Sequence, residues 1–167
     1  MIVTGGGGSI GAEICARAVA FGASALLVVE NSEPALHGIL NRPEILEASA
    51  EIGGALADIR DRERLHAVFA AFRPDFVFHA AALKQVPYLE RDWTEGVKTN
   101  VFGSINVADA TVAAGARALV MISTDKAIEP VSQLGADYFR HEEGRHALVG
   151  ERVELRITTG TVEVLHG

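Results

Sequence analysis

The chain has 167 residues, 49% of them hydrophobic and 22% charged, with a formal net charge of −7; this is one domain's length with enough apolar residues for a core, which excludes a disordered or fibrous chain. The acidic balance and the lack of any run near the ~18 apolar residues of a membrane span argue against nucleic-acid and membrane partners. A single cysteine, Cys15, excludes a disulfide framework, and a soluble, cytoplasmic protein is expected.

The first strand, Met1 to Thr4, runs directly into Gly5-Gly6-Gly7-Gly8-Ser9-Ile10-Gly11. Its short length suggests that residues normally upstream are missing. Gly5, Gly8 and Gly11 have the spacing G-x-x-G-x-x-G, which suits a strand-to-helix turn that cradles a phosphate. Gly5 takes the bend, Gly8 admits a pyrophosphate to the backbone, and Gly11 allows close helix packing. The helix N-terminus, with Ser9 and Ile10 in its first turn, presents unpaired N–H groups and partial positive charge. Ile14, Ala18 and Phe21 mark this helix's inward face and Gly22 its stop. A second strand, Ala25 to Val29, ends in Glu30, an acid about twenty residues past the glycines, where an adenosine ribose is held by its hydroxyls. This is a dinucleotide-binding pattern.

Ser32 caps a second helix from about Pro34, with Leu36, Ile39 and Leu40 inward, and Pro43 interrupts it. A third strand is expected around Ala55 to Ile59, diluted by Gly53 and Gly54. Leu65, Val68, Phe69 and Phe72 mark a helix that ends at Arg73-Pro74, and Phe76-Val77-Phe78 is the fourth strand. One long helix is expected from about Thr94 to Ala114, then a fifth strand from Ala118 to Ile122. Alternating short strands and crossover helices specify α/β architecture, a doubly wound parallel sheet over residues 1–136. Residues 137–167 differ in texture: a polar stretch that can be helical, then a β-hairpin from Val153-Glu154-Leu155-Arg156-Ile157 and Thr161-Val162-Glu163-Val164-Leu165.

In such sheets ligands lie beyond the strands' C-terminal ends. His79-Ala80-Ala81-Ala82-Leu83-Lys84 follows the fourth strand and Ser123-Thr124-Asp125-Lys126 the fifth. Together with Asn100, in Lys98-Thr99-Asn100-Val101-Phe102-Gly103, these strings resemble the extended short-chain dehydrogenase/reductases. Beyond the fold, they resemble the bacterial polysaccharide-biosynthesis branch, the UDP-N-acetylglucosamine 4,6-dehydratases and related nucleotide-sugar enzymes, and the likeness runs to about Ala136. Ile122-Ser123-Thr124-Asp125-Lys126-Ala127 is its specific element.

The resemblance implies a redox-neutral elimination on a UDP-sugar. Hydride leaves C4 for NAD(P)⁺, water is lost across C5–C6, and hydride returns to C6. It implies Asp125 and Lys126 as the acid/base pair and Thr124 as a hydrogen-bonding partner of the sugar or the nicotinamide ribose. It places Asp58 and Ile59 at the adenine, Ala80, Ala81 and Ala82 beside the cofactor with Asn100, and Lys84 at the substrate. NAD is expected over NADP, since Glu30 would repel a 2′-phosphate. No metal is expected; a homo-oligomer is. His79, at the end of an apolar strand, fits a satisfied core residue better than a catalyst.

The sequence departs from the family at its Tyr-x-x-x-Lys pair, where Leu134 and Tyr138 stand. Loss of that lysine removes the cation that orients the nicotinamide ribose. No match to the family's substrate-holding C-terminal portion follows Ala136, and a truncation, a frameshift or a divergent cap would each account for this. A dinucleotide-binding remnant and a sugar 4-epimerase are the alternative functions; the Asp125-Lys126 pair argues against the epimerase.

Overall fold

A strand that is apolar on both faces needs cover on both sides, and in a parallel sheet the crossover helices supply it. The computed structural model describes residues 1–123 in full and, beyond them, the backbone of Val153–Thr158 and Thr161–His166. Strands β1 (Ile2–Thr4), β2 (Ala25–Glu30), β3 (Glu51–Leu56), β4 (Phe76–His79) and β5 (Ala118–Met121) form one parallel sheet in the order β3-β2-β1-β4-β5. The central strand β1 pairs Val3 with Val28 on one side and with Phe78 on the other.

Because successive side chains on a strand point to opposite faces, Ile2 and Val3 enter different cores. Val3 packs with Cys15, Leu26, Val28, Ile39 and Ile45 beneath α1 (Ser9–Ala20), α2 (Glu33–Leu40) and α3 (Pro43–Leu46). Ile2 packs with Val29, Leu65, Phe69, Val77 and Val107 beneath α4 (Arg62–Phe72) and α7 (Ser104–Ala113). Burial in the first core pushes the Cys15 thiol up to about 12. Local chemistry sets the helix ends. The Ser32 hydroxyl accepts from Ala35 N–H, and the Asp61 carboxylate accepts from Arg64 N–H at 3.0 Å, caps each worth about 1 kcal/mol. The α4 helix closes at Arg73, in the left-handed region at φ 53°, just before Pro74.

Four sequence expectations need correction or added detail. The third strand is Glu51–Leu56, earlier than the expected Ala55 to Ile59, and it contains both glycines. A Cβ on Gly54 would stand 2.7 Å from a Leu40 methyl and 3.0 Å from a Leu36 methyl, so glycine here lets α2 lie on the sheet. The helical stretch expected over 94–114 runs unbroken from Trp93 to Ala113, but its middle is a π segment (Val97–Gly103) between α6 (Trp93–Gly96) and α7; short α5 (Val86–Arg91) precedes it. Phe21 does not face inward: it follows the last turn of α1 and is 86% exposed. Pro43 does not merely interrupt α2 but opens α3 at a first-turn position.

Beyond the sheet, β6 (Val153–Thr158) and β7 (Thr161–His166) pair antiparallel, Thr158 opposite Thr161. Among the described residues no helix is long and apolar enough to cross a membrane.

Gly11 is the tightest point of the first crossover. A Cβ there would fall on the Gly5 carbonyl oxygen and lie 2.8 Å from Gly6 Cα, and neither backbone atom can yield. Gly11→Ala is therefore expected to cost about 2–3 kcal/mol in urea denaturation. Gly22→Ala should cost less, since a side chain at Gly22 would meet nothing within 4 Å and bear only its φ of +85°.

Candidate functional site

Strand order reverses beside β1, where one crossover leads to β2 and the later ones to β4 and β5, and this switch point is where an open α/β sheet leaves a crevice. A groove of roughly 290 Å³ lies there. Its floor is Gly5, Gly7 and Gly8; Glu30 and Asn31 follow β2, Ala57 and Ile59 follow β3, and Ala80, Ala81 and Ala82 follow β4.

Two different demands make the glycine turn. Gly5 sits at φ +69°, and a Cβ there would be 2.6 Å from the Ala81 backbone, so the turn and the loop after β4 touch main chain to main chain. Gly8 is limited on its other side. A Cβ there would meet only the Gly5 carbonyl oxygen, at 3.3 Å, and otherwise project from the exposed start of α1. No side chain caps α1 and no acid occupies its first turn. Its leading N–H groups and the positive end of its dipole thus meet no acid of the helix itself. Such a turn fits a diphosphate.

Glu30 faces the groove from β2. One carboxylate oxygen accepts from Gly7 N–H at 3.0 Å; the other accepts from Asn31 N–H at 3.0 Å and Ser32 N–H at 3.2 Å. Three backbone donors fix the carboxylate's direction and leave lone pairs for further donors, the hydrogen-bonding need of a ribose. Gly7 was not singled out from the sequence. A Cβ on it would be 2.6 Å from Ala35 Cβ, so this glycine admits α2 while its N–H orients Glu30.

Asp58 lies in the loop after β3, in a shallow recess shared with Asn31, Ala57, Asp61 and Arg64 that adjoins the groove. Arg60 grips it with Nε at 3.0 Å from both oxygens and a terminal nitrogen at 2.6 Å, and reaches Glu95 at 3.0 Å. The Arg60 guanidinium, helped by the Asn31 side chain, holds the Asp58 carboxyl below the usual carboxylate range. Ile59 is buried beside the groove, and Gly103 lets the π segment approach it: a Cβ there would be 2.7 Å from Ile59 Cδ1.

The other sequence candidates fall differently. Ser9 and Ile10 are exposed in the first turn of α1 and Gly11 is buried behind the glycine turn; none of them lines the groove. Asn100 also lies outside it. Only 2% exposed, it receives Leu83 N–H at Oδ1 (2.8 Å) and donates from Nδ2 to the Leu83 carbonyl (2.9 Å), so it holds the loop that forms the wall. Lys84, next along that loop, is exposed and outside the groove. Thr99 lines the groove and was missed; a π turn between two helices leaves no mark in an apolar pattern. Thr124, Asp125 and Lys126 lie outside the described residues, as do Leu134 and Tyr138. Among the described residues no group of three or more His, Cys, Asp or Glu could hold a metal ion.

A parallel sheet of this order with a glycine turn at its switch point defines a Rossmann-like, dinucleotide-binding class of fold. Residues 1–151 match the family described as polysaccharide biosynthesis protein, and the chain belongs to that family. It is 36% identical over 142 residues to the probable polysaccharide biosynthesis protein EpsC of Bacillus subtilis, covering 81% of this chain and 23% of the relative. It is 36% identical over 143 residues to the UDP-N-acetylglucosamine 4,6-dehydratase (inverting) of Campylobacter jejuni, covering 81% of this chain and 39% of that enzyme. The chain thus spans well under half of these curated relatives. Among solved structures it resembles the UDP-glucose 4-epimerase of Stenotrophomonas maltophila with bound NAD and formylated UDP-arabinopyranose. The TM-score is 0.73 at 26% identity, over 88% of this chain and 47% of that one.

The Asp58–Arg60 pair has a pH consequence. A carboxylate with a folded pKa below its unfolded value of about 3.9 contributes stability that is fully present above about pH 5 and is lost as pH falls through the folded value. Urea denaturation of Asp58→Asn between pH 3 and 6 should accordingly show a shallower acid limb than the wild type, with the two curves parallel above about pH 5.

Proposed function

We propose that this chain is the dinucleotide-binding part of a nucleotide-sugar 4,6-dehydratase of bacterial surface polysaccharide biosynthesis, acting on a UDP-N-acetylhexosamine. The observation that carries it is the glycine-floored groove facing the Glu30 carboxylate, in a chain 36% identical to a UDP-N-acetylglucosamine 4,6-dehydratase.

In this proposal Gly5, Gly8, Ser9, Ile10 and Gly11 shape the diphosphate cradle, and Glu30 accepts hydrogen bonds from the adenosine ribose. Asp58 and Ile59 bracket the adenine. The small Ala80, Ala81 and Ala82 leave room for the nicotinamide half, and Lys84 meets the substrate. NAD(P), with NAD preferred, supplies a temporary store for the sugar's hydride. Asp125 protonates the departing C6 hydroxyl and Lys126 takes the C5 proton, with Thr124 hydrogen-bonding nearby; Lys126 can do so only with its pKa lowered toward neutrality. A cytoplasmic homo-oligomer suits a nucleotide-sugar substrate.

Calorimetric titration tests the cofactor half. NAD⁺ should bind at least about tenfold more tightly than NADP⁺, because a 2′-phosphate would meet the Glu30 carboxylate. Gly8→Val should abolish binding of both while circular dichroism stays unchanged. Equal affinities, or unchanged affinity in Gly8→Val, would remove this assignment.

The catalytic half is tested by NMR after incubation with UDP-N-acetylglucosamine and NAD⁺. A 4-keto-6-deoxy product is expected, together with C5 proton exchange in deuterated water that disappears in Lys126→Ala while NAD⁺ affinity stays within a few-fold. A C4 epimer would mean an epimerase. Cofactor binding with neither exchange nor turnover would mean a binding-only chain, the outcome that Leu134 and Tyr138 favour.

A further inference from the structure

Behind the groove runs a row of polar side chains in an otherwise apolar interior. Thr4, the last residue of β1, is fully buried, and its hydroxyl is 2.6 Å from Nδ1 of His79, the last residue of β4. Nε2 of His79 is 2.8 Å from the Ser104 hydroxyl at the start of α7. That hydroxyl donates to the Asn100 main-chain carbonyl at 2.8 Å, and the Asn100 side chain takes both backbone groups of Leu83. His79, Asn100 and Ser104 are each no more than 3% exposed.

Proton counting gives the row a direction. A carbonyl can only accept, so the single Ser104 hydroxyl proton goes to Asn100, and Ser104 must accept from His79. Nε2 therefore carries a proton. With Nε2 as the donor, Nδ1 stands 2.6 Å from the Thr4 hydroxyl, the place of an acceptor on a ring that carries one proton.

The placement gives the row a purpose. Thr4 is followed by Gly5, His79 by Ala80 and Ala81, and Thr99 precedes Asn100; each of these neighbours, like Leu83 itself, lines the groove. We propose that His79, as the neutral Nε2–H tautomer, is a positioning residue that fixes the Ser104 hydroxyl on the Asn100 carbonyl and thereby holds the Ala80 to Leu83 wall against the glycine turn. It works through Ser104 and Asn100 and touches neither cofactor nor sugar.

The test needs no ligand, so it stands apart from the outcome for the proposed function. In wild-type protein labelled with ¹⁵N-histidine, long-range ¹H–¹⁵N spectra should show His79 protonated at Nε2 and bare at Nδ1. A ring protonated at Nδ1, or at both nitrogens, overturns the proposal.

Amide hydrogen exchange then separates positioning from packing. His79→Gln can still present an N–H donor near the Nε2 position, whereas His79→Asn reaches only as far as Nδ1. Both remove ring volume. Leu83 N–H should exchange about tenfold faster in His79→Asn and in Ser104→Ala than in His79→Gln, with the amides of Val28 and Val77 in the sheet serving as the reference for global opening. Equal acceleration in both His79 variants would mean that the ring only fills space, and unchanged Leu83 exchange in Ser104→Ala would mean that the row does not reach the wall. Should Ser104→Ala fail to fold, Ser104→Thr, which keeps the hydroxyl, should leave Leu83 protection within a few-fold of wild type, and a tenfold loss there would also overturn the proposal.

Discussion

Three pieces of main chain meet at Gly5: the turn itself, the loop at Ala80 and Ala81, and the first turn of α1 at Gly11. No side chain fits between any two of them. This triple approach depends on the central position of β1, whose neighbours β2 and β4 bring their C-terminal ends to the same edge. From it follow the exposed start of α1, the open face of Gly8 and the groove between β2 and β4. The constraint is steric, and it concerns backbone rather than flexible side-chain ends that could shift.

Electrostatics in the groove is arranged around the same turn. Gly7 N–H fixes one oxygen of Glu30 and the backbone beyond β2 fixes the other, so this acid is oriented by peptide groups whose positions the sheet determines. At the far end, Asp58 is oriented by one peptide group, the Arg60 N–H at 2.9 Å, and by the Arg60 side chain, which also reaches Glu95. The two carboxylates differ in how firmly they are held. Glu30 is held by three peptide groups, whereas Asp58 has one and otherwise depends on an exposed arginine, and exposed pairs of that kind contribute little to stability.

Much of this architecture was legible in the sequence because its causes are local. The Gly5, Gly8, Gly11 spacing, the Glu30 position and the apolar runs of β2 and β4 each follow from what a few consecutive residues can do. The losses have a common origin in contacts between distant segments. Gly53 and Gly54 looked like strand breakers, yet Gly54 is needed where Leu36 and Leu40 press on β3. The π segment is a change in backbone hydrogen-bond register, which an apolar pattern does not record. Asn100 was visible as a polar residue of interest, but its partner, the Leu83 backbone, lies seventeen residues away and appears only in the fold. His79 was expected to be a satisfied core residue, and its hydrogen bonds to Thr4 and Ser104 make it one.

The burial of Cys15 equips the chain with a chemical clock. It is the only thiol in the sequence, it is fully buried under β1 and β2, and its pKa near 12 leaves almost no thiolate at neutral pH. A thiol-directed reagent therefore has to wait until α1 lifts from the sheet, since only the thiolate is the nucleophile. The labelling rate then counts openings of the very helix that starts at the glycine turn. Anything that settles on that turn and holds α1 down would slow the reaction without touching the sulfur.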